Sequence, residues 1–387
     1  MARPDGLTVE VLDGAESVLA SQPTWSRDGE QLAWSSVSAE RQVVLIETFD
    51  DQGARSGQPQ QSNAAGVPVF YLQWSQANDR LVYIRNGQTG QGVEAGSIEP
   101  GLPIEPLGEG APFFMSWSPE PNRILAHVNE TSIDAFGLEA SPDEFVPVAA
   151  VDGGFSAPAW VDADRALIVA SGALSYLEVA TGTIEPIEPV AGPLRFVLSP
   201  DGTKVAYQVV GGQAGVTVVN NPFNSAGNNT DNNTLVQADR AGLVVLDLES
   251  GDQTVVTTEV SVAFEWSPDS DKLAWLQAGI SGGQPLGTWR FWSATDAAVT
   301  TRSSEFALTR RYGGSYLPFF AQYAQSVTGW SPDSQAFAYA GTIGQDRGIW
   351  VQLVDETVAP QLVAPGDFVT WGRGQAPPPN SAGASAA

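Results

Sequence analysis

The sequence predicts an all-β protein, and three observations support this fold class. A hairpin-like motif recurs along most of the 387 residues, and Gly and Pro, which favour turns, occur 40 and 27 times. No segment shows the 3.6-residue apolar periodicity of an amphipathic helix. Hydrophobic residues make up 42% of the chain, which is enough to form a folded core in spite of the high charge.

The repeated motif is an apolar strand that ends in Trp, followed by a turn such as Ser-Pro-Asp-Gly and by a return strand such as Leu-Ala-Tyr. Pro presets φ in this turn, Asp can bond to the backbone two residues on, and Gly accepts a positive φ. The Trp position, here called the anchor, is occupied by Trp25, Trp74, Trp117, Trp160, Leu198, Trp266, Trp330 and Trp371. Successive anchors lie 49, 43, 43, 38, 68, 64 and 41 residues apart, which indicates a period near 43 with two insertions.

Each repeat continues with further β-rich runs, for example at 43–46 and 243–246. Four short strands in a unit of this length are typical of one blade of a β-propeller. The anchor Trp is interpreted as a core residue that fills the wedge between neighbouring blades.

The succession Trp-Ser-Pro-Asp-Gly and Leu-Ala-Tyr resembles the TolB-type WD-like β-propeller repeat, over residues 7–371. The second and fourth copies lack Pro-Asp-Gly, and the fifth has Leu198 in place of Trp. The resemblance implies a propeller fold. It implies no single function, because this superfamily includes periplasmic interaction scaffolds, propeller domains of prolyl-oligopeptidase-like peptidases, and surface or sensor modules.

One propeller of four-stranded blades is therefore expected over residues 1–373. Its two insertions are placed at about 220–236, which is rich in Asn, and at about 279–325. Residues 374–387 form a Pro/Ala/Ser-rich segment that is expected to be a disordered tail.

Eight blades are predicted, with a closing blade that both chain ends build together. The runs at 7–12 and 17–19 resemble the third and fourth strands of a unit, whereas Trp371 ends a first strand with nothing after it. Completion of one blade by both ends would close the ring and protect its edges. Seven blades are the alternative.

The second insertion combines many aromatic residues with four of the sixteen Arg of the chain. Loops on a rigid scaffold often carry binding residues, and aromatic residues with Arg are typical of binding hot spots. The alternative is that these aromatic side chains pack against their own blade. The candidate partner-binding residues are Arg290, Trp292, Arg310, Arg311, Tyr312, Tyr316, Phe319 and Phe320.

No catalytic residue is nominated. The single His, His127, lies in a predicted strand and is interpreted as structural. Residues 279–283 match Gly-x-Ser-x-Gly, but a nucleophile elbow requires a strand-to-helix turn, so the match is attributed to chance. The absence of Cys excludes disulfides, thiolate zinc sites and a cysteine nucleophile.

No cofactor is expected, with Ca²⁺ as the alternative. One His and no Cys exclude a His/Cys metal site and leave oxygen ligands. Asp162 and Asp164, and Asp269 and Asp271, place paired carboxylates at turns. Neither pair resembles an EF-hand loop, and Asp residues in turns usually bond to their own backbone.

The formal charge of −26 makes nucleic acid and anionic membranes poor partners. No run of 18 apolar residues occurs, so direct membrane insertion is not expected. The predicted function is a non-catalytic scaffold that binds a protein or polymeric ligand through the inserted loops and one propeller face.

Two alternatives are kept. One is a propeller domain or subunit of a peptidase or hydrolase, and the other is a structural component of a cell-surface assembly in which copies self-associate. The resemblance implies an extracytoplasmic location, either periplasmic, cell-surface or secreted.

Overall fold

A computed structural model shows how the repeats are arranged. It describes residues 19–38, 42–50, 53–63, 69–87, 93–99, 105–110, 113–120, 123–129, 131–137, 146–151, 156–189, 194–209, 217–220, 234–237, 242–259, 261–281, 284–354 and 358–372. Nearly all regular structure in these residues is β-strand, and neighbouring strands run antiparallel.

The first four repeats each form one four-stranded sheet in simple up-and-down order. Sheet 1 consists of β1 (Leu19–Trp25), β2 (Gln31–Val37), β3 (Gln42–Thr48) and β4 (Gln60–Asn63). Sheet 2 consists of β5 (Val69–Trp74), β6 (Leu81–Asn86), β7 (Val93–Ile98) and β8 (Glu105–Gly110). Sheet 3 consists of β9 (Phe113–Trp117), β10 (Arg123–Val128), β11 (Ser132–Gly137) and β12 (Val146–Ala150). Sheet 4 consists of β13 (Ala159–Trp160), β14 (Arg165–Ala170), β15 (Ala173–Glu178) and β16 (Thr183–Pro189).

The later repeats carry the two insertions. Sheet 5 consists of β17 (Leu194–Leu198), β18 (Lys204–Val209), β21 (Leu243–Asp247) and β22 (Gln253–Thr257), with the added hairpin of β19 (Thr217–Asn220) and β20 (Thr234–Gln237). Sheet 6 consists of β23 (Ser261–Trp266), β24 (Lys272–Ser281), β25 (Gln284–Ser293) and β26 (Ala298–Arg302). Sheet 7 consists of β28 (Ala336–Ile343), β29 (Asp346–Leu353) and β30 (Gln361–Ala364). Trp330 forms an isolated β-bridge with Phe337 of β28. The short strand β27 (Phe306–Leu308) pairs with β25 and β28 and joins sheets 6 and 7.

The Ser and Asp of the repeated turn bond to each other. Ser26 Oγ donates to Asp28 Oδ1 at 2.5 Å, and Ser199 Oγ donates to Asp201 Oδ1 at 2.6 Å. The same Ser oxygens accept the backbone N–H five residues on, which closes the hairpin. The motif therefore encodes one side-chain-locked turn between the first and second strands.

Five anchor indoles donate a hydrogen bond to the preceding sheet. In each case the acceptor is the carbonyl of the residue immediately before that sheet's anchor. The bonds run from Trp74 to Thr24, Trp117 to Gln73, Trp160 to Ser116, Trp266 to Val197 and Trp330 to Glu265, at 3.1 to 3.4 Å. The interpretation of the Trp as a core residue between neighbouring units is confirmed, because these five side chains are also buried.

Where the repeat has Ser or Asn instead of the turn Gly, that residue also links neighbouring sheets. Ser270 and Ser334 have φ of 61° and 60°, a conformation that costs a non-Gly residue free energy. Ser270 Oγ accepts the N–H of Asp201 at 3.0 Å, and Ser334 Oγ accepts the N–H of Asp269 at 3.1 Å. The inter-sheet bond offsets the cost of the left-handed backbone.

These sheets confirm the prediction of an all-β protein built from four-stranded antiparallel units. The blade count stays a prediction, because the runs required for the shared closing blade lie almost entirely within residues 1–18, outside the described residues. The tail predicted at 374–387 and most of the first insertion also lie outside them. Within the described ranges, no helix is long and apolar enough to cross a membrane.

Candidate functional site

The second insertion has two structural parts. The first extends β24 and β25 to ten residues each and adds β27 across their far end. The second is a helical segment that continues from β27: a π-helical turn at Tyr312–Tyr316, a 3-10 turn at Leu317–Phe319 and a short α-helix at Phe320–Tyr323. Residues 310–326 are here called the plug.

The plug lies where the first strands of the sheets converge. It contacts sheets 1 to 6, each at the first strand or at the residue next to it. Its hydrogen bonds join Arg311 to Ala20, Ser326 to Thr24, Gln322 to Tyr71 and Met115, Tyr323 to Phe70, and Gln325 to Gln73 and Pro158. One segment of 17 residues can contact six sheets only if the sheets surround it, so the plug fills the centre of the molecule.

Aromatic packing holds the plug in this centre. The Phe320 ring is buried, and its centroid lies 4.7 Å from that of Phe264 on β23. Tyr312 and Tyr316 stack at 4.8 Å, and Tyr316 lies 5.2 Å from Tyr323. Contacts of this kind add stabilisation beyond that of the apolar area that they bury.

The carboxylate of Glu265 faces the plug at its buried side. Tyr316 donates its hydroxyl to Glu265 Oε1 at 2.7 Å, and the Gly329 N–H donates to Glu265 Oε2 at 3.0 Å. Burial raises the pKa of the Glu265 carboxyl, while these two hydrogen bonds act in the opposite direction. Burial together with the neighbouring Glu265 also holds the pKa of Tyr316 well above its ordinary value.

Three of the residues that directly precede an anchor bind the plug through hydrogen bonds. They are Thr24, Gln73 and Glu265, and all are buried. Thr24 and Gln73 donate to plug carbonyls, and Glu265 accepts from the plug. A cavity of about 10 Å³ lies beside Glu265, which is room for about one water molecule.

Solved structures of similar overall shape are known. One is an oligogalacturonate lyase in complex with manganese, with a TM-score of 0.54, 10% identity, and coverage of 87% of this chain and 89% of that one. Another is a eukaryotic initiation factor, with a TM-score of 0.50, 14% identity, and coverage of 90% and 88%. The chain has the β-propeller fold. Structural neighbours of the propeller also include TolB from Acinetobacter baumannii, with a TM-score of 0.44, 13% identity, and coverage of 87% and 77%.

No protein-family model matches the sequence. No curated protein matches it either. At identities of 10 to 14% the similarity shows the fold alone, and it includes an enzyme, so it does not assign an activity to the propeller.

Half of the eight predicted partner-binding residues lie inside the propeller. Trp292, Tyr312, Tyr316 and Phe320 are buried and offer no surface to a partner in this conformation. Arg290 and Arg311 are half-buried: the Arg290 Nε–H donates to Gln277, and the Arg311 guanidinium donates to the Ala20 carbonyl. Only Arg310 and Phe319 are exposed. Partner binding by this set stays a prediction.

Two residues that the sequence interpretation did not single out face the plug. Glu265 was missed because it lies in an apolar strand, although its place directly before the Trp266 anchor matches that of Gln73 before Trp74. Arg195 on β17 places its guanidinium 5.8 Å from the Phe320 ring centroid, and burial lowers its pKa. Alignment of the repeats by their anchors would have found both positions.

The remaining candidates have structural roles. His127 is buried on β10, and its Nδ1 lies 3.3 Å from the carbonyl oxygen of Ser156. Ser281 of the Gly-x-Ser-x-Gly match ends one strand of a β-hairpin, and the second strand begins at Gln284. Asp162 accepts the N–H groups of Asp164 and Arg165, as expected for a turn Asp. Across the described residues, no group of three or more potential ligands could hold a metal ion.

Proposed function

We propose that this propeller is a non-catalytic interaction scaffold that binds a protein or polymeric ligand. The observation that carries the proposal is the plug. Ligand sites of enzymes are concave pockets that enclose much of the substrate, and here the chain's own aromatic segment occupies the centre of the ring. Beside the buried Glu265, the described residues leave a cavity of only about 10 Å³.

The contact surface of the scaffold is proposed to include the exposed part of the plug. Phe319 keeps 42% of its surface exposed, and Arg310 in the same segment is exposed. An aromatic residue and an Arg on a rigid support are favourable contact residues. The support is rigid here because Phe320, the next residue, is anchored in the core.

A photo-reactive phenylalanine analogue at position 319 tests this surface. The matched control carries the analogue at position 358, because Val358 is also exposed. Both labelled proteins are irradiated in an extracytoplasmic extract, which supplies the candidate partners. We expect a crosslinked product at 319 that is absent at 358 and is lost when R310E is added. Identical products at both positions, or a product that R310E does not affect, would contradict the proposed surface.

An enzyme of the hydrolase or peptidase class is the second candidate. It is favoured by the raised pKa of the Glu265 carboxyl, since perturbed carboxyl groups are common in active sites. Its test is turnover of oligosaccharide and peptide substrates by the wild-type chain and by E265Q. Turnover that E265Q abolishes would overturn the non-catalytic proposal.

An extracytoplasmic location belongs to the same proposal, and a structural role in a surface assembly stays the alternative to the scaffold. Both rest on the resemblance of the repeat to TolB-type propellers. A monomer in light scattering at high concentration would count against the assembly role, and it would leave the scaffold role intact.

We also propose a ring of eight blades, with seven as the alternative. The Trp371 N–H donates to the Thr328 carbonyl just before Trp330 of sheet 7, and a Cβ added at Gly372 would lie 3.0 Å from the Trp25 ring of sheet 1. The last anchor therefore lies between sheets 7 and 1, where the predicted closing blade would stand.

A further inference from the structure

The outermost strand of six sheets has the same irregularity at the same place. Between the third and fourth strands of sheets 2 to 7, the pairing shifts by one residue, which leaves one residue of the fourth strand bulged. On the fourth strand, the shift falls between residues 106 and 108, 147 and 149, 186 and 188, 255 and 257, 299 and 301, and 362 and 364. The six sheets can therefore be compared residue by residue at this edge.

The type of residue just before the bulge differs between two groups of three sheets. In sheets 2, 3 and 4 it is Pro106, Pro147 and Pro186. In sheets 5, 6 and 7 it is Val255, Val299 and Leu362, which are 62%, 52% and 40% exposed. These three are half of the six large hydrophobic side chains that are exposed among the described residues, so their shared position is a property of the edge.

Proline at an edge protects it against the addition of another strand, because proline has no N–H to donate. Three sheets accept proline at this position without loss of the ladder, so the ladder does not require the N–H there. Val255 pairs with Val244 at the equivalent position, so the same pairing would direct its N–H to the open edge of β22. Within the described residues β22 pairs with β21 alone, and this edge therefore offers both a backbone donor and an aliphatic side chain.

The charge around β22 favours one kind of occupant. Glu249, Asp252 and Glu259 flank the strand and are exposed. Residues 242–259 contain no Lys or Arg. A second copy of the chain would bring the same acidic edge and a formal charge of −26, which disfavours pairing of two copies.

We propose that the β22 edge is a docking strand for an extended, aliphatic segment of a partner protein flanked by Lys or Arg. The partner segment adds to the sheet as a further strand, a known mode of peptide recognition. Its aliphatic residues pack on Val255 and its basic residues pair with the flanking carboxylates. The proposal rests on the interaction role proposed above, but it uses the rim of the ring and not the plug.

A fluorescent peptide, Lys-Thr-Val-Thr-Val-Lys, serves as the probe in anisotropy titrations with the full chain. We expect binding that weakens as salt is raised, and binding about tenfold weaker for the peptide with Glu at both ends. V255P, which installs the residue of sheets 2 to 4, should weaken binding about tenfold through loss of one donor. V255T keeps the donor and should weaken binding less.

Equal affinity of wild type and V255P for the probe would overturn the docking strand, as would equal affinity for the Lys and Glu peptides. A wild-type dimer in light scattering that V255P converts to a monomer would assign the edge to a second copy and overturn the basic partner. Crosslinking at position 319 is independent of V255P, so failure of this proposal is distinguishable from failure of the scaffold role.

Discussion

Two adjacent phenylalanines in the plug provide a sharp test of its structural role. Phe320 is 1% exposed and packs on Phe264 and Arg195, whereas Phe319 is 42% exposed. Truncation of a buried Phe to Ala costs about 3–5 kcal/mol, because transfer free energy is lost and a cavity is left. A substitution at a surface position such as Phe319 costs less than about 1 kcal/mol. F320A and F319A remove the same atoms, so their difference isolates burial.

The expected change in melting temperature follows from the size of the chain. Unfolding entropies of about 2.1 cal/mol/K per residue give about 0.8 kcal/mol/K for 387 residues. A loss of about 4 kcal/mol then lowers the Tm by about 5 °C for F320A, and by about 1 °C or less for F319A. Calorimetry of both variants and wild type measures this difference. Equal shifts in the two variants would refute the conclusion that Phe320 anchors the plug in the core.

Substitutions at three further positions test the centre of the ring and the contacts between its sheets. The pKa of the Glu265 carboxyl is raised, so its favourable contribution to the stability of the fold is complete below its ordinary pKa near 4.5 and is lost as the pH rises through the raised value. The Tm of E265Q should therefore fall less than the Tm of wild type between pH 4.5 and 8. Parallel curves of Tm against pH would contradict this. W117F should lower the free energy of unfolding by about 1–3 kcal/mol, because the buried carbonyl of Gln73 loses its donor; denaturant unfolding measures the change, and an unchanged midpoint would be the contrary result. S270A should lower the free energy of unfolding by about 1 kcal/mol, because the hydrogen bond to Asp201 is lost and the left-handed backbone is kept. S270G relieves that backbone and should cost less. The reverse order in denaturant unfolding would contradict this account of the turn.

The repeat made much of the fold predictable because its signals are local. Four of the turns are closed by Ser and Asp two residues apart, and the anchor ends the first strand in each of sheets 1 to 6. A period of about 43 residues then fixes the sheet as the unit. These features depend on residues that are close in sequence, and they need no knowledge of what lies across the ring.

The place of the plug could not be predicted in the same way. Tyr323 bonds to Phe70 and Gln322 to Met115, across 253 and 207 residues. A segment rich in aromatic residues is compatible with a contact loop and with a core, and the choice depends on the width of the central channel. The equivalence of Pro147 and Val255 could not be predicted for a related reason. These two residues occupy the same edge position only when the sheets are aligned by their β-bulges.

The position of the plug also affects how the chain is made. Residues that fill the axis of the ring begin near position 310, so sheets 1 to 6 emerge from the ribosome before the segment that packs against their first strands. Until then Tyr71 and Met115 have no partner from the plug. Contacts of such long sequence separation slow folding, and exposed apolar surface in the nascent chain favours aggregation. Translation past the plug is therefore the step at which the axis of the ring can first be sealed.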